Sequence, residues 1–248
     1  IEVVRREDRG GRRVGPGVID AFYAGLERIH LDECDYLCKL DTDLEIPRRY
    51  FETVLARFDA EPRLGTFSGK LFLRAEDGRL RPEPTGDDNA VGPAKFYRVE
   101  CFRQIGGFVR EVCWDGIDGH MCRMEGCIAR SEDAPDLRLI HLRQMGSSHE
   151  GIWTGRKRWG MGKWFMGSAW YYMLAVALYR MAERPYLIGG IGILTGYLEA
   201  ALKGMKRFEN RAFRAPLRRY ESRVLFQGRR RTAEAYHRRR AGIESDPG

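Results

Sequence analysis

The feature that most constrains this chain is the segment from residue 36 to residue 52, YLCKLDTDLEIPRRYFE. An apolar run typical of a buried strand ends in two aspartates, Asp41 and Asp43, and Pro47 suits the first turn of a following helix. Neighbouring carboxylates repel each other unless a cation or hydrogen-bond donors compensate them. The segment therefore predicts a strand, an acidic turn and a helix, and packing alone does not explain the two acids.

The first 150 residues alternate between strand-like and helix-like segments. Strands are predicted at IEVVRR, DYLCKL, RLGTFSGKLFLR, the start of KFYRVECFRQIGGF and LRLIHLR. Helices are predicted from Val18, from Pro47 to about Ala60, before Gly106-Gly107 and from near Asp115. This alternation predicts an α/β domain over residues 1–150, with a mostly parallel sheet flanked by helices.

The character of the chain changes after residue 150. Residues 151–248 are predicted to form a helical extension that contains two apolar helices, SAWYYMLAVALYRMA and PYLIGGIGILTGYLEAAL, and a basic helical tail. Each apolar segment is shorter than the roughly 20 apolar residues needed to cross a bilayer. The alternatives left open are an in-plane membrane anchor, a cap on the domain and a dimer interface.

Charge and cysteine usage limit the partners and the compartment. Residues 203–240 hold fourteen Lys or Arg and three Glu, a local charge of +11, whereas the whole chain carries +8. Such a tail suits an anionic membrane surface. No base-stacking aromatic pattern or nucleic-acid motif accompanies the arginines, so we expect no nucleic-acid partner. The six cysteines form no CxxC pair, which predicts free thiols in a reducing, cytoplasmic setting.

The two aspartates are candidates for metal binding. In open α/β sheets, ligands bind beyond the carboxyl ends of the strands, where Asp41 and Asp43 are expected to lie. Two carboxylates there can hold a hard divalent cation whose coordination shell is completed by a diphosphate. The alternative is a pair of solvated loop acids, with Asp43 favoured by the dipole of the next helix.

Two longer blocks carry a resemblance to a known family. The block DYLCKLDTDLEIPRRYFETVLARFDAEPRLGTFSGKLF resembles the central part of family 2 glycosyltransferases, in which a strand ends in D-x-D and P-x-x-[FY] opens a helix. The block FRQIGGFVREVCWDGIDGHMCRMEG resembles the part in which GGF precedes the helix of the catalytic base. The resemblance covers residues 1 to about 150 and implies a GT-A-like fold. The segments GIWTGRKRWGMGKWF and RPYLIGGIGILTGYLEA are similar, more loosely, to a bacterial subgroup associated with cell-surface polysaccharide assembly.

The resemblance implies a divalent metal, Mn²⁺ or Mg²⁺, bound to the diphosphate of a nucleotide sugar. Asp41 and Asp43 would hold this metal, and His141 in LIHLR would be a third ligand or a donor to the diphosphate. A core histidine is the alternative for His141. His120 and His149 are predicted to be surface residues.

The resemblance also implies residues on the acceptor side. Asp115 takes the position of the catalytic base, and Asp118 one turn later is the second candidate. Trp114, which stands where the family commonly has a glutamate, is predicted to contact substrate. Arg156 and Arg158 are predicted to contact the leaving diphosphate. A solvated basic face is the alternative for the two arginines.

The predicted function is transfer of a sugar from a nucleotide-diphosphate sugar donor to a lipid-linked or glycan acceptor, with inversion, at the inner face of the cell membrane. The family's first β-α-β unit, with its DGSxD turn for the nucleotide, has no counterpart after Ile1, so we expect an N-terminally incomplete catalytic domain. This departure keeps open a second hypothesis, an inactive fragment or binding module of the same fold.

Overall fold

The computed structural model describes residues 2–7, 10, 15–142, 151–184 and 186–240. Within these residues the chain forms nine α-helices: α1 (Pro16–Leu26), α2 (Tyr50–Ala60), α3 (Val99–Gln104), α4 (Trp114–Met124), α5 (Gly151–Met166), α6 (Trp170–Met181), α7 (Ile188–Leu202), α8 (Arg211–Gln227) and α9 (Arg229–Arg240). The same residues form seven strands: β1 (Tyr36–Leu40), β2 (Leu44–Glu45), β3 (Leu64–Arg74), β4 (Leu80–Pro82), β5 (Ala94–Arg98), β6 (Ile128–Glu132) and β7 (Arg138–His141).

The strands form one curled sheet in the order β1-β5-β3-β7-β2, with β4 and β6 also paired to β3. Strand β3 is long enough to join the two parts of the sheet. Its first half pairs with β5 and β6, and its second half pairs with β7 and β4. The carboxyl end of β1 therefore lies at one side of the sheet, next to β5.

The prediction of a mostly parallel sheet is wrong. Among the described residues, β3 pairs in parallel with β6 and β7, whereas the pairs β1-β5, β3-β5, β3-β4 and β2-β7 are antiparallel. Strand β5 inserts antiparallel between β1 and β3, and the short strands β2 and β4 were not predicted. Alternation in sequence does not report which strand becomes a neighbour, because buried parallel and antiparallel strands carry similar apolar runs.

Helices cover the sheet through two hydrophobic clusters. On β5, Phe96 belongs to a cluster with Tyr50 and Phe58 of α2, whereas the next residue, Tyr97, belongs to a cluster with Phe102 of α3. Successive residues of a strand point to opposite faces. The sheet is therefore packed on both faces, as predicted for an α/β domain flanked by helices.

Several predicted boundaries need correction. Residues 2–6 of the predicted strand IEVVRR form no strand in the structure. Helix α2 begins at Tyr50 and not at Pro47, whose carbonyl accepts a hydrogen bond from the Tyr50 amide at 3.0 Å. The segment predicted as a basic helical tail forms α8 and α9, and Phe213 and Leu217 of α8 are buried against Ile117 of α4.

The apolar segments after residue 150 form the helices α6 and α7, as predicted, and α7 packs closely on α5. A Cβ atom at Gly160 of α5 would overlap the carbonyl oxygen of Ile193, and one at Gly196 of α7 would overlap that of Lys157. Glycine thus permits the two helix backbones to approach each other. In the part of the chain that the structure describes, no helix combines the length and the apolar character needed to cross a bilayer. The domain boundary near residue 150 remains a prediction, since residues 143–150 lie outside the described residues.

Candidate functional site

The two aspartates lie at the end of β1 and differ in their surroundings. The backbone amide of Asp41 donates to the Pro93 carbonyl at 2.7 Å, which continues the pairing of β1 with β5. Its carboxylate accepts a hydrogen bond from Lys39 Nζ at 2.5 Å. Lys39 is buried and also donates to the carbonyl oxygen of Gly92 at 3.0 Å. A buried ammonium therefore neutralises Asp41 and ties it to the segment before β5.

Asp43 points toward His141, which ends β7. Asp43 Oδ2 lies 3.7 Å from His141 Nε2, and the other ring nitrogen, Nδ1, lies 3.5 Å from Glu83 Oε2. Glu83 raises the pKa of His141 against the opposing effect of burial, and Asp43 and Asp41 add to the increase. His141 is thus a buried ring between two acids, which stabilise its charged form.

Glu83 is a residue that the sequence analysis missed. It follows β4, its backbone amide donates to the Leu71 carbonyl at 2.8 Å, and it is 5% exposed. In the sequence it stands between two prolines in a polar loop. A carboxylate in such a loop is normally solvated, so no local signal marked Glu83 as a buried partner of His141.

The helix α4 presents Asp115 in its first turn. Two side chains hold the Asp115 carbonyl oxygen: Asn89 Nδ2 donates to it at 2.6 Å and Lys95 Nζ at 2.9 Å. The carboxylate is half-buried and lies against Gly92, where an added Cβ atom would be 3.2 Å from Asp115 Oδ2. An acid in the first turn of a helix is also favoured by the helix dipole.

Asp118, the second candidate for the base, lies deeper. It is 1% exposed, and Lys95 Nζ, which is 0% exposed, lies 2.6 and 2.7 Å from its two carboxylate oxygens. The Tyr97 hydroxyl also donates to Asp118. Burial raises the pKa of Asp118 to about 6, although Lys95 and Tyr97 oppose the increase. A carboxylate enclosed in this way is better placed to stabilise α4 than to accept a proton directly from an acceptor hydroxyl.

The end of β1 and the start of α4 are neighbours. Gly92 accepts a hydrogen bond from Lys39, which also donates to Asp41, and a Cβ atom added at Gly92 would lie 3.2 Å from Asp115 Oδ2. Lys39 Nζ lies 5.3 Å from the centroid of the Trp114 ring, and Trp114 is 7% exposed. Trp114 is therefore mostly enclosed, and its predicted contact with substrate remains a prediction.

The two arginines of α5 lie in a different environment. Arg156 packs against α7, where a Cβ atom at Gly192 would be 3.0 Å from Arg156 Cβ. Burial lowers the pKa of Arg156, and the nearby Arg180 adds to the decrease. Arg158 is partly buried on the same helix. The predicted contacts of Arg156 and Arg158 with a diphosphate remain predictions.

The prediction for His120 is wrong, because its ring is partly buried against Tyr220 of α8, with the ring centroids 5.0 Å apart. Burial lowers the pKa of His120 well below its usual value, and Arg123 adds to the decrease. His149 lies outside the described residues. The six cysteines are free, as predicted.

The carboxylates after β1 fit a divalent cation only if a diphosphate supplies further oxygen ligands. Among the described residues, no group of three or more His, Cys, Asp or Glu side chains is placed to hold a metal ion. Magnesium-like cations in nucleotide sites are, however, often bound by one or two carboxylates and by substrate phosphates. Asp43, whose side chain is 21% exposed, offers such an oxygen ligand. The donor set therefore fits a cation shared with a diphosphate and does not form a closed protein-only site.

Comparisons with known proteins identify no family. No protein-family model matches the chain, and no curated protein matches it. One similar solved structure is the mannosyltransferase PcManGT from Pyrobaculum calidifontis in complex with GDP-Man and Mn²⁺, a glycosyltransferase. It is 16% identical, the match covers 96% of this chain and 68% of that chain, and the TM-score is 0.38. A likeness this distant supports no conclusion about function.

Proposed function

We propose that this chain is the catalytic part of a hexosyltransferase-like glycosyltransferase. It moves a sugar from a nucleotide-diphosphate sugar to an acceptor hydroxyl with the assistance of a divalent metal. The main support is the contact of two distant segments with one glycine: Lys39 joins Asp41 to Gly92, and the Asp115 carboxylate lies against the same residue. Transfer requires acids near the diphosphate and a base near the acceptor within one cleft. The motifs that resemble family 2 glycosyltransferases agree with this reading.

Asp115 acts in this proposal as the general base. Its backbone is held by Asn89 and Lys95, so its carboxylate keeps a defined orientation as α4 begins. The carboxylate accepts the proton of the acceptor hydroxyl as that oxygen attacks the anomeric carbon. Attack from the side opposite the diphosphate is a single displacement and inverts the configuration. Asp118 supports the helix from below through its ion pair with Lys95.

The diphosphate lies, in the proposal, beside Asp43 and His141. A Mn²⁺ or Mg²⁺ ion bound there would act as a Lewis acid and stabilise the leaving diphosphate. His141 has two roles open to it. As a charged ring, which Glu83 favours, it donates a hydrogen bond to the diphosphate. As a neutral ring with Glu83 beside Nδ1, it would help Asp43 to hold the metal.

The acceptor in this proposal is a lipid-linked or glycan hydroxyl at the inner face of the cell membrane. The support for this setting is that helices α6 and α7 expose large apolar side chains. Trp170 is 69% exposed, Leu178 58% and Leu202 88%. The basic segment after α7 adds positive charge on the same part of the chain. An apolar helix face next to basic residues is the composition of an in-plane membrane anchor.

One observation favours the alternative, a binding module without activity. Lys39 Nζ already lies 2.5 Å from the Asp41 carboxylate, so one of the two acids is compensated without a metal. A module of this kind would bind the nucleotide-diphosphate sugar and release it unchanged.

The deciding experiment uses the purified chain with a panel of nucleotide-diphosphate sugars and Mn²⁺. Calorimetry measures donor binding, and a radiolabelled sugar measures transfer to membrane lipid extracts. Asp115→Asn should lower turnover by about 10²–10⁴-fold while donor affinity changes by less than about threefold. Asp35→Asn, an exposed acid before β1, is the matched control and should keep full turnover.

The outcomes separate the hypotheses. Donor binding by the parent chain without transfer to any acceptor indicates the binding module. Near-full turnover in Asp115→Asn excludes Asp115 as the base. Asp43→Asn should weaken Mn²⁺-dependent donor binding and leave metal-free nucleotide binding unchanged. Equal donor affinity of Asp43→Asn and parent in Mn²⁺ would exclude Asp43 as a metal ligand.

A further inference from the structure

The start of α8 builds an arginine-lined surface pocket. Arg211, Arg214 and Arg218 line a pocket of about 370 Å³ together with Ala215. Residues three and four positions apart lie on the same face of a helix, so these arginines project together. Arg207, just before the helix, lies close to them. Burial lowers the pKa of Arg207, and Arg218 and Arg214 add to the decrease by charge repulsion.

The arginines are held in place, and two of them have no carboxylate partner among the described residues. The side chain of Arg214 packs over Gly167, where a Cβ atom would lie 2.7 Å from Arg214 Cδ. Arg218 Nε donates to the Gly167 carbonyl at 3.2 Å. Within the described residues, neither Arg211 nor Arg214 makes a salt bridge. On the neighbouring α9, by contrast, Arg230 pairs with Glu234 at 2.9 Å.

Glu221 is close enough to Arg218 for the arginine to lower the pKa of that carboxyl, but Arg211 and Arg214 converge with no salt-bridge partner among the described residues. Such guanidinium groups match an anionic ligand. Arginine presents its N–H donors in a rigid fork that fits the oxygens of a phosphate group. Repulsion among Arg207, Arg214 and Arg218 is relieved when a phosphate binds between them. The chemistry of the pocket therefore indicates a phosphate-bearing ligand.

The position of the pocket indicates where that phosphate comes from. Gly167, under the arginines, is followed three residues later by Trp170, which is 69% exposed at the start of α6. Arg207 lies 3.7 Å from the centroid of the Trp164 ring, and Trp164 Nε1 donates to the carbonyl of Met205, a residue just beyond α7. The pocket thus borders the end of the α6-α7 pair.

The same two helices carry exposed apolar stripes. On α6 the stripe follows helical spacing: Trp170, Leu174 and Leu178. On α7 it comprises Ile188, Ile191, Leu198 and Leu202, which are 43–88% exposed. In the described part of the chain, no helix is long and apolar enough to cross a bilayer. An apolar helix face combined with basic residues is typical of helices in the plane of the membrane interface. Phosphate is present at that depth as the headgroup of anionic lipids.

We propose that Arg207, Arg211, Arg214 and Arg218 bind the phosphate of an anionic lipid headgroup while the apolar stripes of α6 and α7 enter the same leaflet. The inference rests on the proposed function only for the membrane setting and does not depend on sugar transfer. The site orients the catalytic domain on the membrane by fixing one end of the helix pair.

The test measures binding of the full chain to vesicles of phosphatidylcholine, with and without phosphatidylglycerol, by co-sedimentation. Arg211→Gln/Arg214→Gln should bind the anionic vesicles roughly 30-fold more weakly than the parent, at about fivefold per arginine. The matched control is Arg219→Gln/Arg231→Gln, which removes the same charge from exposed positions of α8 and α9 outside the pocket. It should change binding by less than about threefold.

Each further result counts for or against the lipid assignment. Equal binding of the parent to neutral and anionic vesicles, or equal loss in both double variants, overturns the site. Calorimetric binding of inorganic phosphate without binding to anionic vesicles indicates a soluble phosphate ligand and overturns the lipid. Donor binding in Arg211→Gln/Arg214→Gln should equal that of the parent, so a failure of this inference is distinguishable from a failure of the proposed glycosyltransferase.

Discussion

Replacement of Lys95 by methionine tests the buried ion pair beneath α4. Lys95 and Asp118 are 0% and 1% exposed, with Nζ 2.6 Å from Asp118 Oδ1, and Lys95 also holds the Asp115 carbonyl. Methionine keeps the length of the side chain and removes its charge, which leaves Asp118 buried beside the Tyr97 hydroxyl. Removing one partner of a buried pair costs about 3–5 kcal/mol of the free energy of unfolding. For a chain of this size, that lowers the melting temperature by roughly 6–20 °C.

The pH dependence of this loss has a defined sign. Burial raises the pKa of Asp118 to about 6 in the folded parent, above its unfolded value of 3.8. A carboxyl with a raised folded-state pKa favours folding below the unfolded value, and that contribution is lost as the pH rises through the folded value. Without Lys95 the pKa of Asp118 rises further. The loss in the free energy of unfolding caused by Lys95→Met should therefore be smaller at about pH 5 than at about pH 8.

Equilibrium unfolding in urea, followed by tryptophan fluorescence, measures the loss. Lys203→Met is the matched control, because Lys203 pairs with Glu199 at 2.6 Å but is 64% exposed. Such an exposed pair contributes about 0–1 kcal/mol. The double variant Lys95→Met/Asp118→Leu should recover most of the stability, since it removes the uncompensated charge. A loss in Lys95→Met no larger than that in Lys203→Met would refute the reasoning.

Two further predictions concern stability. Gly160→Ala should cost about 1–3 kcal/mol of the free energy of unfolding, because the added Cβ atom would overlap the Ile193 carbonyl and force α5 and α7 apart. Gly25→Ala in α1 is the control: its Cβ atom has open space, and the variant should gain about 0.5–1 kcal/mol in urea unfolding. Equal stabilities of the two variants would contradict the close packing of α5 and α7. Burial lowers the pKa of His237 to about 4. The neutral ring therefore contributes to the free energy of unfolding above about pH 6.5, and this contribution is lost as the pH falls, by roughly 1–2 kcal/mol at about pH 5. His237→Gln should flatten this acid loss in thermal melts at several pH values, and an unchanged slope would exclude His237 as its source.

Local features of the fold were predictable from the sequence. The strand that ends in Asp41 and Asp43, the helix of Asp115 and the paired glycines after α3 all occur where the sequence indicates them. Gly106 and Gly107 have φ values of 72° and 77°, a left-handed conformation that ends a helix and favours glycine. These features depend on a few neighbouring residues, so short-range patterns suffice to predict them.

The supporting charges of the site were not predictable. Lys39 and Lys95 lie in strand-like runs where a lysine normally points to solvent, yet both are buried against acids. Glu83 lies beside His141 although it belongs to a loop whose polar sequence predicts exposure to solvent. Each of these pairings, apart from Lys39 with Asp41, joins segments that are far apart in sequence, and no local pattern records such a meeting.

Contiguous residues specify the acidic end of β1, the position of α4 and the apolar character of α6 and α7, because spacing and backbone conformation are local properties. The antiparallel insertion of β5 beside β1, which brings Gly92 between Asp41 and Asp115, depends instead on long-range strand pairing. The tertiary structure also buries Lys95 against Asp118, and it places Arg207 beside Trp164 and Arg218 of α8 beside Gly167. The physical reason is that strand pairing and charge burial depend on which distant segments share a surface.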